Sequence, residues 1–111
     1  MKRYEYFVYI LRCCDDRYYV GMTNDLVRRM DEHNRGMNET AFTHDRRPVK
    51  LVYSIKFSYV WHAIRWEKQL KGWSRDKKEA LIRGDEKSLK WFAKRAGVRS
   101  RAEMKRKGLL R

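Results

Sequence analysis

The chain has 111 residues, 42% hydrophobic and 38% charged, with 28 Lys and Arg against 14 Asp and Glu for a net charge of +14. That balance suits one globular domain rather than a disordered chain, and no apolar run approaches the roughly 20 residues that a membrane helix needs. So large a positive excess points to nucleic acid or another anionic surface as partner and gives no reason to expect a membrane one.

The first residues, Met1-Lys2-Arg3-Tyr4-Glu5, lack a signal-peptide pattern. The two cysteines, Cys13 and Cys14, are adjacent, which is neither a zinc site nor a disulfide framework. Both read as reduced thiols, and a cytoplasmic location is expected.

In chain order, residues 4–12 are apolar on both alternating faces, with Tyr6, Val8 and Ile10 on one and Phe7, Tyr9 and Leu11 on the other. A strand buried on both sides is central in its sheet. Residues 17–21 pair with it across the polar stretch Cys14-Asp15-Asp16-Arg17. Loop length decides the chemistry. Tyr9 and Tyr19 share a face only if the hairpin closes with an odd loop, as when Cys13 pairs with Arg17; a two-residue Asp15-Asp16 loop separates them.

Thr23 is read as the cap of a helix that ends before Gly36. Pro48 opens a third strand in which Val49, Leu51, Tyr53, Ile55 and Phe57 alternate with polar residues, broken only by Val52. Ser58 caps a helix ending at Gly72, Ser74 another ending near Gly84, and Asp85 starts a fourth that stops at Gly97. Ser100-Arg101-Ala102-Glu103 is a capping box for a short C-terminal helix. The order β-β-α-β-α-α-α predicts an α+β fold, a three-stranded antiparallel sheet flanked by helices. The expected division is a domain over 1–97 and a basic tail over 98–111.

Phosphodiester hydrolysis needs an activated water, charge stabilisation on the phosphoryl oxygens and help for the leaving oxygen. A guanidinium suits the second need, since its fork matches phosphate oxygens and it never deprotonates. Arg29 lies beside the buried stripe of Leu26 and Met30, one turn before His33, although Arg28 and Arg35 show that surface arginines also occupy this helix. Glu67 lies beside the apolar stripe of Ala63, Trp66 and Leu70, where an aliphatic residue would be cheaper. A salt bridge to Arg65, Lys68 or Lys71 is the competing explanation for it. His33 can serve as a base or phosphate donor near neutral pH. Arg28, Arg46, Arg47, Lys68 and Lys71 are the candidate phosphate contacts.

These residues resemble the GIY-YIG nuclease superfamily, in particular its small stand-alone bacterial branch. Phe7-Val8-Tyr9 stands for Gly-Ile-Tyr and Tyr19-Val20-Gly21 for Tyr-Ile-Gly. Gly21-Met22-Thr23-Asn24-Asp25-Leu26 leads into Arg28-Arg29 and Glu32-His33-Asn34, and Arg65-Trp66-Glu67-Lys68-Gln69-Leu70-Lys71 follows, closed by Trp73-Ser74-Arg75. The chain departs from the pattern at Phe7, and no asparagine follows Asn38.

The resemblance, which covers residues 4–83, implies metal-dependent DNA cleavage. Tyr9 would orient or deprotonate the attacking water and Tyr19 would help hold water and phosphate. Arg29 would stabilise the phosphoryl charge, His33 would assist proton transfer or phosphate binding, and Glu67 would ligate one Mg²⁺ or Mn²⁺. A tyrosine base requires its pKa, ordinarily about 10, to be lowered, for which Arg29 and the metal are the expected sources.

The leading expectation is therefore a divalent-metal-dependent endonuclease acting on DNA. The alternative is a non-catalytic nucleic-acid-binding module that retains the fold. A third reading uses exposed tryptophans and the basic tail to dock a partner protein that supplies target recognition.

Overall fold

The computed structural model describes residues 5–38 and 41–95, with side chains through residue 90. The predicted tail, its capping box and the Gly97 stop lie outside the described residues. Two compact units divide the chain between Lys71 and Gly72.

The first unit is built on an antiparallel sheet of order β2-β1-β3, with β1 at Tyr6–Arg12, β2 at Tyr18–Thr23 and β3 at Lys50–Phe57. The central strand is the one with two apolar faces: Val8, Tyr9, Ile10 and Leu11 are all fully buried.

The β1–β2 hairpin closes through Cys13 N–H donating to the Arg17 carbonyl at 2.8 Å, leaving the three-residue loop Cys14-Asp15-Asp16. Asp16 N–H donates back to the Cys13 carbonyl at 3.0 Å, and Asp16 takes φ of +67°. A turn followed by one left-handed residue is a standard three-residue hairpin, and aspartate is among the few side chains that tolerate that region. The pairing sum is even, since Tyr9 lies opposite Gly21 and Leu11 opposite Tyr19. Both tyrosines of the two triplets therefore share a face.

The third strand does not present a single apolar face. Ile10 pairs with Tyr53 but Leu11 pairs with Leu51, so Val52 is an extra, bulged residue. The bulge switches the phase of the strand. Tyr53 and Ile55 join the face of Val8 and Ile10, whereas Val49 packs with Tyr9, Leu11 and Cys13 on the other.

Helix α1, Leu26–Arg35, covers the Tyr9 face with Leu26 and Met30. Its cap is Asp25, whose Oδ1 accepts from Arg28 N–H at 3.1 Å, and not the predicted Thr23. Thr23 is still paired with Phe7 in the sheet; its hydroxyl instead braces the turn by accepting from Asp25 N–H at 3.1 Å. The helix stops at Gly36, with φ of +64°, where the Gly36 and Met37 amides donate to the His33 and Glu32 carbonyls. A 3₁₀ turn over His44–Arg46 leads to β3.

Helix α2, Val60–Lys71, covers the opposite face with Ala63, Trp66 and Leu70, and Trp66 Nε1–H donates to the Tyr53 hydroxyl at 3.3 Å. It starts one residue later than the predicted Ser58 cap allows, because the Tyr59 carbonyl accepts its first amides, those of His62 and Ala63.

In the second unit, Ser74 caps α3 (Arg75–Arg83), which ends at Gly84 with φ of +69°. Asp85 accepts from Ser88 N–H at 3.1 Å at the head of α4, Glu86–Arg95. Sequence punctuation located all three of these caps.

Candidate active site

The close approach of Tyr9 to β2 dictates a glycine opposite it. A Cβ at Gly21 would lie 2.5 Å from Tyr9 Cζ and hydroxyl oxygen and 2.9 Å from Tyr19 Cε1. With no side chain there, the Tyr9 ring lies across the strand, its centroid 6.3 Å from that of Tyr19. The Tyr9 hydroxyl is 3.0 Å from His33 Nε2, and His33 Nδ1 is 2.8 Å from the Thr43 hydroxyl. Thr43 and His33 are both buried, and the imidazole meets Tyr19 edge-on at 5.4 Å. One ring thus links strand, helix and loop in the chain Tyr9–His33–Thr43. With Tyr9 as donor to Nε2, His33 carries its proton on Nδ1 and donates to Thr43.

Burial sets the protonation of this chain. It pushes the Tyr9 phenol well above its usual range, reinforced by Tyr19; Arg29 pulls the other way, and Glu67 and Glu32 push up again. Arg29 acts in the expected direction, but desolvation outweighs it. Burial also pushes His33 below its ordinary value, helped by Arg29 and opposed by Glu32. The resting pair is a neutral phenol and a neutral imidazole.

Arg29 is half-buried on α1, and its Nε is fully covered with no hydrogen-bond partner among the described residues. A buried donor left unpaired is costly, and an incoming phosphate oxygen would relieve that cost. Arg29 borders an open cleft of about 300 Å³ that is also lined by Tyr19, Glu32, His33 and His44. Tyr9 stands behind this wall, fully buried.

Glu67, on the flank of α2, is near enough to raise Tyr9 electrostatically but does not line the cleft. Its side chain is 21% exposed and Oε1 lies 2.9 Å from Lys71 Nζ, the ion pair that competed with a metal role from the sequence. Among the described residues, no group of three or more His, Cys, Asp or Glu could hold a metal ion. A single carboxylate nonetheless suits magnesium, which retains waters and takes its remaining oxygens from the substrate phosphate. Glu67 supplies one such carboxylate, paired here with Lys71.

The candidate phosphate contacts divide. Lys68 is exposed on α2, and Arg28 is exposed on α1 with Nε 3.4 Å from Glu32. Arg47 is exposed, with its Nε donating to the His44 carbonyl at 2.7 Å. Arg46 is engaged internally: Nη1 donates to the Phe42 carbonyl at 2.7 Å, the guanidinium lies 4.0 Å over the Phe42 ring, and Nε is 3.0 Å from Asp15 Oδ2. Phe42 in turn stacks on Tyr19 at 6.1 Å.

Sequence reasoning overlooked Thr43, the role of Gly21 and Asn34, whose Oδ1 accepts from Val49 N–H at 3.1 Å to tie the end of α1 to the start of β3. For Gly21 the parity argument held a signal, since an even register puts it opposite Tyr9. Thr43 sits in a loop without periodicity and had none.

A tyrosine pair on the sheet, faced by an arginine and a histidine from the following helix, defines a catalytic-domain class. Residues 5–80 match the GIY-YIG catalytic domain, and the chain belongs to the GIY-YIG family. Its similar proteins are small bacterial ones. A UPF0213 protein of Listeria monocytogenes is 42% identical over 88 residues, spanning 78% of this chain and 97% of that protein. One from Bacillus pumilus is 38% identical over 82 residues, 74% of this chain and 83% of that one. A solution NMR structure of a UPF0213 protein from Bacillus halodurans is 38% identical, covering 73% of this chain and 85% of that one with a TM-score of 0.49.

At the superfamily level, GIY-YIG domains are endonucleases acting on nucleic acid and generally use a divalent metal. Among the described residues, no helix is long and apolar enough to cross a membrane.

Proposed function

We propose that the protein is a divalent-metal-dependent endonuclease that hydrolyses phosphodiester bonds in DNA. The observation that supports this most is the covered, unpaired Nε of Arg29 beside the cleft, next to a neutral Tyr9–His33 pair.

In this reading Arg29 donates to a non-bridging phosphoryl oxygen, where its charge counts most as the transition state gains negative charge. Tyr19, on the cleft wall, holds the phosphate and the attacking water. The Tyr9 oxygen accepts the proton of that water while passing its own to His33 Nε2, a step that requires water to reach the buried phenol past the cleft wall. The pair ends as a neutral phenol beside an imidazolium, with Nδ1–H held by the Thr43 hydroxyl. No free tyrosinate is needed, which reconciles a raised phenol pKa with a role in base catalysis. Glu67 would hold Mg²⁺ or Mn²⁺, a Lewis acid that offsets the carboxylate's charge and polarises the phosphate. The surrounding cations, Arg28, Arg47, Lys68 and Lys71, guide the polyanion to the cleft.

The test is cleavage of labelled linear, branched and single-stranded DNA with and without Mg²⁺ or Mn²⁺. Glu67→Gln should abolish metal-dependent cleavage, and Arg29→Ala should lower the rate by about 10²–10³, as for loss of one transition-state donor. Unchanged cleavage by Glu67→Gln rejects the assignment. The burial of Tyr9 and the Glu67–Lys71 ion pair favour the rival, a binding module that keeps the fold without turnover. That rival predicts salt-sensitive binding and no nicking with either metal.

A further inference from the structure

Helix α2 carries a second feature, of which the proposed function uses Lys68 alone, as one of the cations that guide the polyanion. Its buried side is Ala63, Trp66 and Leu70. On the opposite side, Trp61, Arg65 and Lys68 follow at i, i+4 and i+7, which places them on one stripe. All three are exposed, Trp61 at 75%. Tyr59, 67% exposed, meets the His62 ring edge-on at 5.5 Å beside the start of that stripe. Neither Arg65 nor Lys68 has an ion pair among the described residues, whereas Lys71 on the same helix holds Glu67.

We propose that Trp61, Arg65 and Lys68 form a platform that stacks an unpaired base of single-stranded DNA and neutralises the phosphates beside it. The inference rests on the nuclease reading and narrows its substrate class. Solvent-facing aromatic rings flanked by uncompensated cations complement a flexible polyanion with free base faces, and stacking of this kind tolerates any sequence. Bases inside a duplex are already stacked and offer no face. Trp and Arg also suit a protein interface, but Lys68 does not, since protein interfaces are depleted of lysine and their cores of charge. Trp61 precedes Glu67 by six residues, about 9 Å along the helix axis. The two lie about 120° apart around the helix, so a strand held at the platform reaches the carboxylate by passing round the flank of α2.

The experiment measures binding of the full chain to a fluorescent oligo-dT strand and to a blunt duplex, by anisotropy in EDTA. Without metal no cleavage is needed, so failure of the platform and failure of the nuclease reading give separate signatures. Trp61→Ala should weaken oligo-dT binding about tenfold, within the range for loss of one stacked base, and leave duplex binding within about twofold. Trp61→Phe should restore most of the loss. The double substitution Arg65→Ala and Lys68→Ala should weaken binding and reduce the log–log salt slope on the single strand by about 0.7 per cation. Equal loss on strand and duplex, or no loss with Trp61→Ala, overturns the proposal. So does sedimentation showing a dimer that Trp61→Ala dissociates, since the face would then join two copies. Thermal melting of each variant establishes that it is folded.

Discussion

Replacing Gly21 with alanine tests the packing that positions Tyr9. A glycine in the middle of a strand is ordinarily a weakness, and alanine there stabilises by about 0.5–1 kcal/mol. Here the added methyl would sit 2.5 Å from the Tyr9 phenol, about 0.9 Å inside the 3.4 Å at which ordinary contact begins. The phenol cannot swing aside, being fully buried and bonded to His33 at 3.0 Å. Retreat by that distance breaks the hydrogen bond. Overpacking costs about 1–3 kcal/mol and a buried, unpaired polar group about 1–3 more. After the alanine gain and partial relaxation, a net loss of about 2–4 kcal/mol is expected, a fall in Tm of about 10–25 °C for a domain this size. Urea unfolding followed by circular dichroism measures it. Gly84→Ala is the internal comparison: nothing lies within 4 Å of its Cβ position, so only the left-handed φ of +69° opposes it, at about 1–2 kcal/mol. A Gly21→Ala protein as stable as the parent would refute the close approach and with it the seating of Tyr9.

Two further outcomes follow from the same geometry. The Tyr9–His33 pair takes a proton only when the imidazole is neutral, and burial holds His33 below its usual 6.5. The kcat/KM for cleavage, which reports the free protein, should therefore stay level as pH falls from 8 to 6.5 and decline only below that value; an acid limb of kcat/KM centred above pH 7 contradicts the assignment. Arg46, engaged by Phe42 and Asp15, should act on stability more than on DNA. Arg46→Ala is expected to destabilise by about 1–3 kcal/mol, with little change in DNA affinity or its salt slope, while Arg47→Ala shows the reverse pattern. Parallel melting and binding curves decide between the two.

What the sequence disclosed was whatever had a period or a local hydrogen bond. The central strand followed from two apolar faces on Tyr6–Leu11, and the caps at Ser74, Gly84 and Gly36 from residues whose backbone duties are local. The hairpin posed a question of parity, and Asp16 answered it by accepting the left-handed position that makes the loop odd. Thr23 misled because it resembles a cap while still committed to its ladder partner Phe7. The break at Val52 was visible, but its consequence was not: whether an irregular residue ends a strand or bulges within it depends on the neighbouring strand. Thr43 was illegible for a related reason. Its hydroxyl matters because a loop folds back onto a helix ten residues earlier in the chain, and no pattern within that loop encodes the contact.

The division of charge explains how so basic a chain can hold the uncharged Tyr9–His33 pair. Net charge of +14 raises the local concentration of a polyanion, yet positive charge next to His33 disfavours taking up a proton. Arg29 does exert that effect, lowering His33 while also lowering Tyr9. Glu32 and Glu67 oppose it at the two ends, Glu32 favouring the imidazolium and Glu67 opposing loss of the phenol proton. A substrate phosphate in contact with Arg29 would add negative charge in the same sense as Glu32. In the proposed reading, substrate binding would therefore make His33 more basic, so that the pair would be readier to accept a proton when a phosphodiester is in place than when it is not.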